Sequence, residues 1–108
     1  HLMIAPYQHT SETTDLSRIT NTEIMTLVNQ SMEILKTTMK AEGFNFGANL
    51  GKAAGAGIEE HLHYHVVPRW TGDTNFMPVL GHTKVMVEGL QETWDILKPH
   101  FNKLQKSV

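Results

Sequence analysis

Three histidines alternate with apolar or aromatic residues in His61-Leu62-His63-Tyr64-His65-Val66-Val67-Pro68. A period of two is that of an extended strand, which sends His61, His63 and His65 to one face and Leu62, Tyr64 and Val66 to the other. One face is chemical and the other structural, so the segment predicts a strand with one side on a core and the other lining a site. Imidazole is the only side chain that titrates unperturbed near neutrality, and it serves as nucleophile, proton carrier or metal ligand. A strand merely rich in histidine would bury or expose three polar rings to no purpose, each buried ring needing its own hydrogen-bond partners.

The 108 residues suffice for one small domain with a single core. With 40% hydrophobic and 19% charged residues the composition is globular, and no apolar run approaches the length of a membrane span. Nine basic against eleven acidic residues leave a formal charge of -2. No global positive field is available to hold a long nucleic acid, so a bound anion must be small and met by local groups. The absence of cysteine excludes disulfides and thiolate metal sites, and with no signal-peptide pattern the expected location is cytoplasmic. His1 leads directly into the apolar Leu2-Met3-Ile4-Ala5-Pro6, which reads as a strand cut at its first residue. We therefore expect an N-terminal segment to be missing from this sequence, as in a fragment or a processed product.

After a strand over 1–5, residues 6–19 mix Pro6, His9, Thr10, Ser11, Thr13, Thr14 and Asp15, a turn-forming composition that predicts a loop. Thr20 and Glu23 then fit a capping box. Ile24, Leu27, Val28, Ser31, Leu35 and Met39 follow helical spacing until Gly43 supplies a stop. Residues 44–50 predict a strand, and Thr83 to Val87 a short edge strand. From Glu88 onward Leu90, Trp94, Leu97, Phe101 and Leu104 mark the core stripe of a second helix, which Pro99 should kink or divide. Between them, Trp70 and Phe76 lie in a polar surface loop, where an aromatic stacks on a base, packs on a second subunit or anchors the loop. Arg69 reads as a solvated charge.

Gly51-Lys52-Ala53-Ala54-Gly55-Ala56-Gly57 has three glycines and no bulky side chain. Alone, such a stretch is ordinary slack; directly before the histidines, its backbone N–H groups suit a phosphate cradle. It lacks the lysine and hydroxyl placement of a P-loop, so kinase or ATPase chemistry is not indicated. For the histidines two chemistries compete: three imidazoles can hold zinc with an open position, or one can attack phosphorus while its neighbours orient it and manage charge. Alternate residues on one strand stand roughly 6 to 7 Å apart at Cα, which suits an elongated polyphosphate better than a single ion.

The His-x-His-x-His-x-x pattern, with x mostly apolar, resembles the signature of the histidine triad superfamily of nucleotide hydrolases and transferases. His1-Leu2-Met3-Ile4-Ala5-Pro6-Tyr7-Gln8-His9 is similar to the family's strand before its helix, and Asn49 through His65 to its glycine-rich loop and catalytic strand. The stretch Pro68-Arg69-Trp70-Thr71-Gly72-Asp73-Thr74-Asn75-Phe76-Met77-Pro78 resembles the branch that includes diadenosine tetraphosphate phosphorylases.

The resemblance implies an α+β fold with an antiparallel sheet and two main helices, in one histidine triad domain over residues 1–108 that lacks its N-terminal segment. It implies His63 as the nucleophile that forms a nucleotidyl-imidazole at the α-phosphorus of a nucleotide or dinucleoside polyphosphate. His61 would orient it, His65 would contact phosphate or leaving group, and His1 would be a fourth active-site histidine. Asn49 would sit near the phosphates, with Gly57 and Ile58 as backbone donors. No cofactor is required, and a homodimer is expected. Where members of the branch often carry a hydroxyl or amide side chain before the triad, this chain has Ala56-Gly57-Ile58. Some relatives bind zinc through two cysteines and histidines like His9 and His61; here the cysteines are absent, so those two histidines form half a ligand set. The alternative to an enzyme is a non-catalytic nucleotide-binding or zinc-binding domain that has lost part of its pocket.

Overall fold

The computed structural model describes residues 1–55, 61–73 and 90–104. In chain order these form strand β1 (Leu2–Ile4), a 3-10 turn (Thr13–Asp15), helix α1 (Arg18–Met39), strand β2 (Gly43–Gly47), a second 3-10 turn (Lys52–Ala54), strand β3 (Tyr64–Arg69) and helix α2 (Leu90–Asn102). Two helices and an antiparallel sheet are the α+β arrangement expected. The expected strand over Thr83 to Val87 lies outside the described residues.

Helix α1 starts three residues before the expected cap. Ser17, in extended conformation, accepts a hydrogen bond from the Thr20 N–H at 3.1 Å and so satisfies one of the free donors of the first turn. Thr20 is therefore inside the helix. Ile24, Val28, Ser31 and Leu35 fall at spacings of three and four and are buried on one stripe. Ser31 is tolerated there because its hydroxyl donates to the Leu27 carbonyl at 2.7 Å. The helix ends at Lys40, in left-handed conformation with φ 54 and ψ 39, rather than at Gly43. Ala41 is buried and turns its N–H back to the Leu35 carbonyl, so the reversal must come before it, and Gly43 opens β2 instead.

The described strands order as β1-β3-β2, with β3 central and antiparallel to both neighbours. Leu2 and Phe46 flank Val66 on the face that packs on α1, where Val66 is fully buried. Met3 and Gly47 flank His65 on the opposite face. The core joins Ile4, Leu16, Ile24, Val28, Ile34, Leu35, Ala41, Leu62, Val66 and Leu97, so α1 and α2 close over the same side of the sheet and, among the described residues, neither helix covers the His65 face.

Two expectations for α2 change. The helix is not divided at Pro99, which lies three residues before its end and whose missing N–H costs a ladder bond. Trp94 is not part of a core stripe: it is 56% exposed with the Lys98 ammonium 4.9 Å from its ring centroid, and Leu90 is 87% exposed. Helical spacing marks a face, but only Leu97 of that face reaches the core fully, with Phe101 and Leu104 packed at its margin.

Candidate active site

The histidine segment enters the sheet later than its alternation predicts. The ladder between β1 and β3 ends at the Ile4–Tyr64 pair, because the chain turns away at Ala5-Pro6 and proline has no N–H to donate. Leu62 instead gives its N–H to the Thr10 carbonyl, in the loop after β1, at 2.7 Å. His61 and His63 therefore precede β3, and only His65 of the three lies within it. Burial still alternates: Leu62 and Val66 are buried while the three histidines are half-buried.

Each ring has a defined partner. The Nδ1–H of His63 donates to the His61 carbonyl at 3.1 Å. A carbonyl can only accept, so that nitrogen carries a proton, and in the neutral ring the lone pair is on Nε2. His61 donates from Nε2 to the Pro6 carbonyl at 2.7 Å. His1 Nε2 and His65 Nδ1 share a hydrogen bond of 2.7 Å, one ring donating and the other accepting. The His63 and His65 rings meet edge-on with centroids 4.8 Å apart, and those of His1 and His65 lie 4.9 Å apart. His1, His63 and His65 thus form one cluster, with His61 behind it. Opposite His65, Gly47 offers no side chain, and a Cβ built there would meet nothing within 4 Å. Among the described residues, that leaves space beside His65 on this face. His1 also borders a cleft of about 660 Å³ whose lining includes Met39, Lys40, Val67 and Trp70, a volume within the range of small-molecule sites.

The remaining candidates are spread more widely. Asn49 is exposed in the loop after β2; the loop folds back so that its Nδ2 lies 3.9 Å from the place of a Gly55 Cβ. Gly51 and Gly55 hold φ of 80 and 88, which a side chain would strain, so these glycines shape the loop. Gly57 and Ile58 lie outside the described residues, as does Phe76. The His9 and His61 rings approach edge-on at 5.2 Å, but Nε2 of His61 is occupied by the Pro6 carbonyl. Among the described residues no group of three or more His, Cys, Asp or Glu side chains is arranged to hold a metal.

Arg69 is paired rather than merely solvated. It donates from Nε and Nη2 to the two Asp73 carboxylate oxygens at 2.7 and 3.0 Å, and from Nη1 to Asn45 at 2.6 Å. The hydrogen bond to Asp73, and then its charge, raise the guanidinium pKa above its usual value. Trp70 is a loop anchor: its indole N–H donates to the Met39 carbonyl at 3.0 Å and its ring packs at the edge of the core. Sequence reasoning missed the Pro6 and Thr10 carbonyls as partners of the triad segment. Both are backbone contacts to a distant part of the chain and carry no local signal.

A family model for the HIT domain matches residues 1–72. Over 97 residues the chain is 42% identical to a Mycobacterium tuberculosis protein named AP-4-A phosphorylase, covering 90% of this chain and 50% of that one. Over 77 residues it is 30% identical to an uncharacterized HIT-like protein of Saccharolobus solfataricus, covering 71% of this chain and 55% of that one. The chain thus spans about half the length of the curated relatives it matches. Among solved structures, a Zn-bound histidine triad family protein from Mycobacterium smegmatis superposes with a TM-score of 0.69 at 25% identity, over 94% of this chain and 68% of that one. The diadenosine triphosphate hydrolase of Plasmodium falciparum, in complex with cyclomarin A, superposes with a TM-score of 0.68 over 94% of this chain and 62% of that one. At 20% identity the second likeness shows the fold alone.

Proposed function

Because this chain belongs to the HIT domain family, we propose that it carries the reaction centre of a nucleotide hydrolase or nucleotidyltransferase that cleaves dinucleoside polyphosphates through a nucleotidyl-histidine on His63. The observation that carries this reading is the hydrogen bond from His63 Nδ1–H to the His61 carbonyl, which leaves Nε2 as the free nucleophilic nitrogen.

In the first step the Nε2 lone pair attacks the α-phosphorus, and the bond from that phosphorus to the bridging oxygen breaks. The polyphosphate leaves with the bond's electron pair. His65, whose ring meets that of His63 edge-on, is the neighbour that contacts the departing oxygen. In the second step an acceptor oxygen attacks the same phosphorus and the P–N bond breaks, which returns the imidazole. His61 has no part in bond making; its carbonyl and its bond to Pro6 hold the nucleophile in place. Asn49 and the backbone of Gly57 and Ile58 are proposed phosphate contacts on the sequence resemblance. The cleft beside His1 offers apolar volume for a nucleoside.

The name of the Mycobacterium tuberculosis relative, AP-4-A phosphorylase, supports diadenosine tetraphosphate as substrate and inorganic phosphate as acceptor. Product analysis with diadenosine tetraphosphate, with and without phosphate, tests this. Formation of ADP and ATP that depends on phosphate is the expected result, whereas AMP with ATP identifies a hydrolase. AMP binding without turnover of any such substrate contradicts an enzyme and returns the non-catalytic alternative. A homodimer and a cytoplasmic place of action belong to the same proposal, and sedimentation of the full-length protein checks the first. No described helix is long and apolar enough to cross a membrane.

A further inference from the structure

The segment bearing His61 and His63 is held from outside the sheet, by the loop that follows β1. Two of its groups reach that loop: the Leu62 N–H donates to the Thr10 carbonyl and the His61 ring to the Pro6 carbonyl, both at 2.7 Å. Thr10 is only 8% exposed, unusual for a threonine. Its hydroxyl is used twice, accepting from the Glu12 N–H at 3.1 Å and donating to the Asp15 carboxylate at 2.8 Å. A hydroxyl held by a carboxylate is a charge-assisted bond, stronger than a neutral pair. Asp15 closes a 3-10 turn whose N–H bonds to the Glu12 carbonyl, and the next residue, Leu16, is buried in the core. An unbroken path therefore runs from the core at Leu16, through Asp15 and Thr10, to the backbone between His61 and His63.

We propose that Thr10 and Asp15 are positioning residues for His63: their hydrogen bond fixes the direction of the Thr10 carbonyl, and that carbonyl sets where the triad segment lies against β3. The proposal rests on His63 being the nucleophile. Among the described residues, a segment outside the strand ladder has few other restraints. Releasing Leu62 N–H from Thr10 would leave the His61–Pro6 bond as its one remaining hydrogen bond to that loop, beside the buried Leu62 side chain and the covalent join to Tyr64. The His61 carbonyl that selects the His63 tautomer belongs to that segment, so slack there would reach the attacking nitrogen.

The test compares Thr10→Val, which keeps the shape but removes both hydroxyl bonds, with Thr10→Ser, which retains them, in the full-length protein. Asp15→Ala, at an exposed position, removes the other end of the bond and carries the test should Thr10→Val fail to fold. With diadenosine tetraphosphate, Thr10→Val and Asp15→Ala are expected to lower kcat about ten- to hundredfold with KM changed less than about threefold, the signature of a misplaced reacting group. Thr10→Ser is expected to stay within about threefold of the parent. Nitrogen NMR of the imidazoles supplies a second readout: the parent shows His63 protonated at Nδ1, and Asp15→Ala a mixture of tautomers. Folded Thr10→Val and Asp15→Ala proteins with the parent's kcat and an undisturbed Nδ1–H signal would overturn the proposal and leave the pair a purely structural loop cap. Full turnover in His63→Ala would instead overturn the reading of His63 itself, and the proposal with it.

Discussion

His1 Nε2 and His65 Nδ1 lie 2.7 Å apart, so the first residue of the chain is hydrogen-bonded to the last histidine of the triad. Their backbones are neighbours because Leu2 pairs with Val66 and Met3 with His65, and the His65 ring that shares this bond stands edge-on to that of His63. A bond of this kind also couples the proton positions on the two rings, since one must donate while the other accepts.

His1→Ala removes that partner and is expected to lower kcat by about tenfold, with little change in thermal stability because His1 is exposed. His1→Gln, whose amide reaches about as far as Nε2 and can donate or accept, is expected to recover most of the loss. Steady-state kinetics of the two variants beside thermal melts check this, and equal losses in both would show that the hydrogen bond is not what matters.

At the start of α1, Ser17 and Thr20 are both residue types that cap helices, but only the Ser17 hydroxyl accepts a first-turn N–H. Ser17→Ala is expected to destabilise the fold by about 1 kcal/mol, and Thr20→Ala by less than about half of that. Denaturant titration of both variants measures the difference, and a larger effect at Thr20 would place the helix start where the capping-box pattern put it.

Lys40 is the only non-glycine residue with positive φ among the described residues. A glycine there relieves the close approach of Cβ to the backbone, so Lys40→Gly is expected to stabilise by about 0.5–1 kcal/mol, net of the added freedom of the unfolded chain. For a domain of this size that raises the melting temperature by roughly 2–4 °C. A melt that moves downward would mean that the Lys40 side chain makes a contribution larger than the strain it carries.

These sites show what could be seen in the chain before its fold. The triad face was legible because burial alternates with period two even where the strand ladder does not extend: Leu62 and Val66 are buried and the histidines between them are not. The stripe of α1 was legible for the same reason, in its own period. The start of β3 was not, because the group that claims the Leu62 N–H is a backbone carbonyl at Thr10, and a backbone carbonyl looks the same at every position. Trp94 was misplaced because spacing identifies an apolar face without saying whether another element covers it. Gly43 was a reasonable stop by type, but burial of Ala41 forced the reversal onto Lys40.

The most direct test of the account is to trap the intermediate. The full-length protein, mixed with α-labelled diadenosine tetraphosphate and quenched rapidly in base, which preserves phosphoramidates, is digested and its labelled peptide identified by mass spectrometry. The account predicts an adenylyl group on His63, formed and lost at rates that match turnover and absent from His63→Ala. Turnover without any covalent adduct, or an adduct on His61 or His65 in its place, would contradict it.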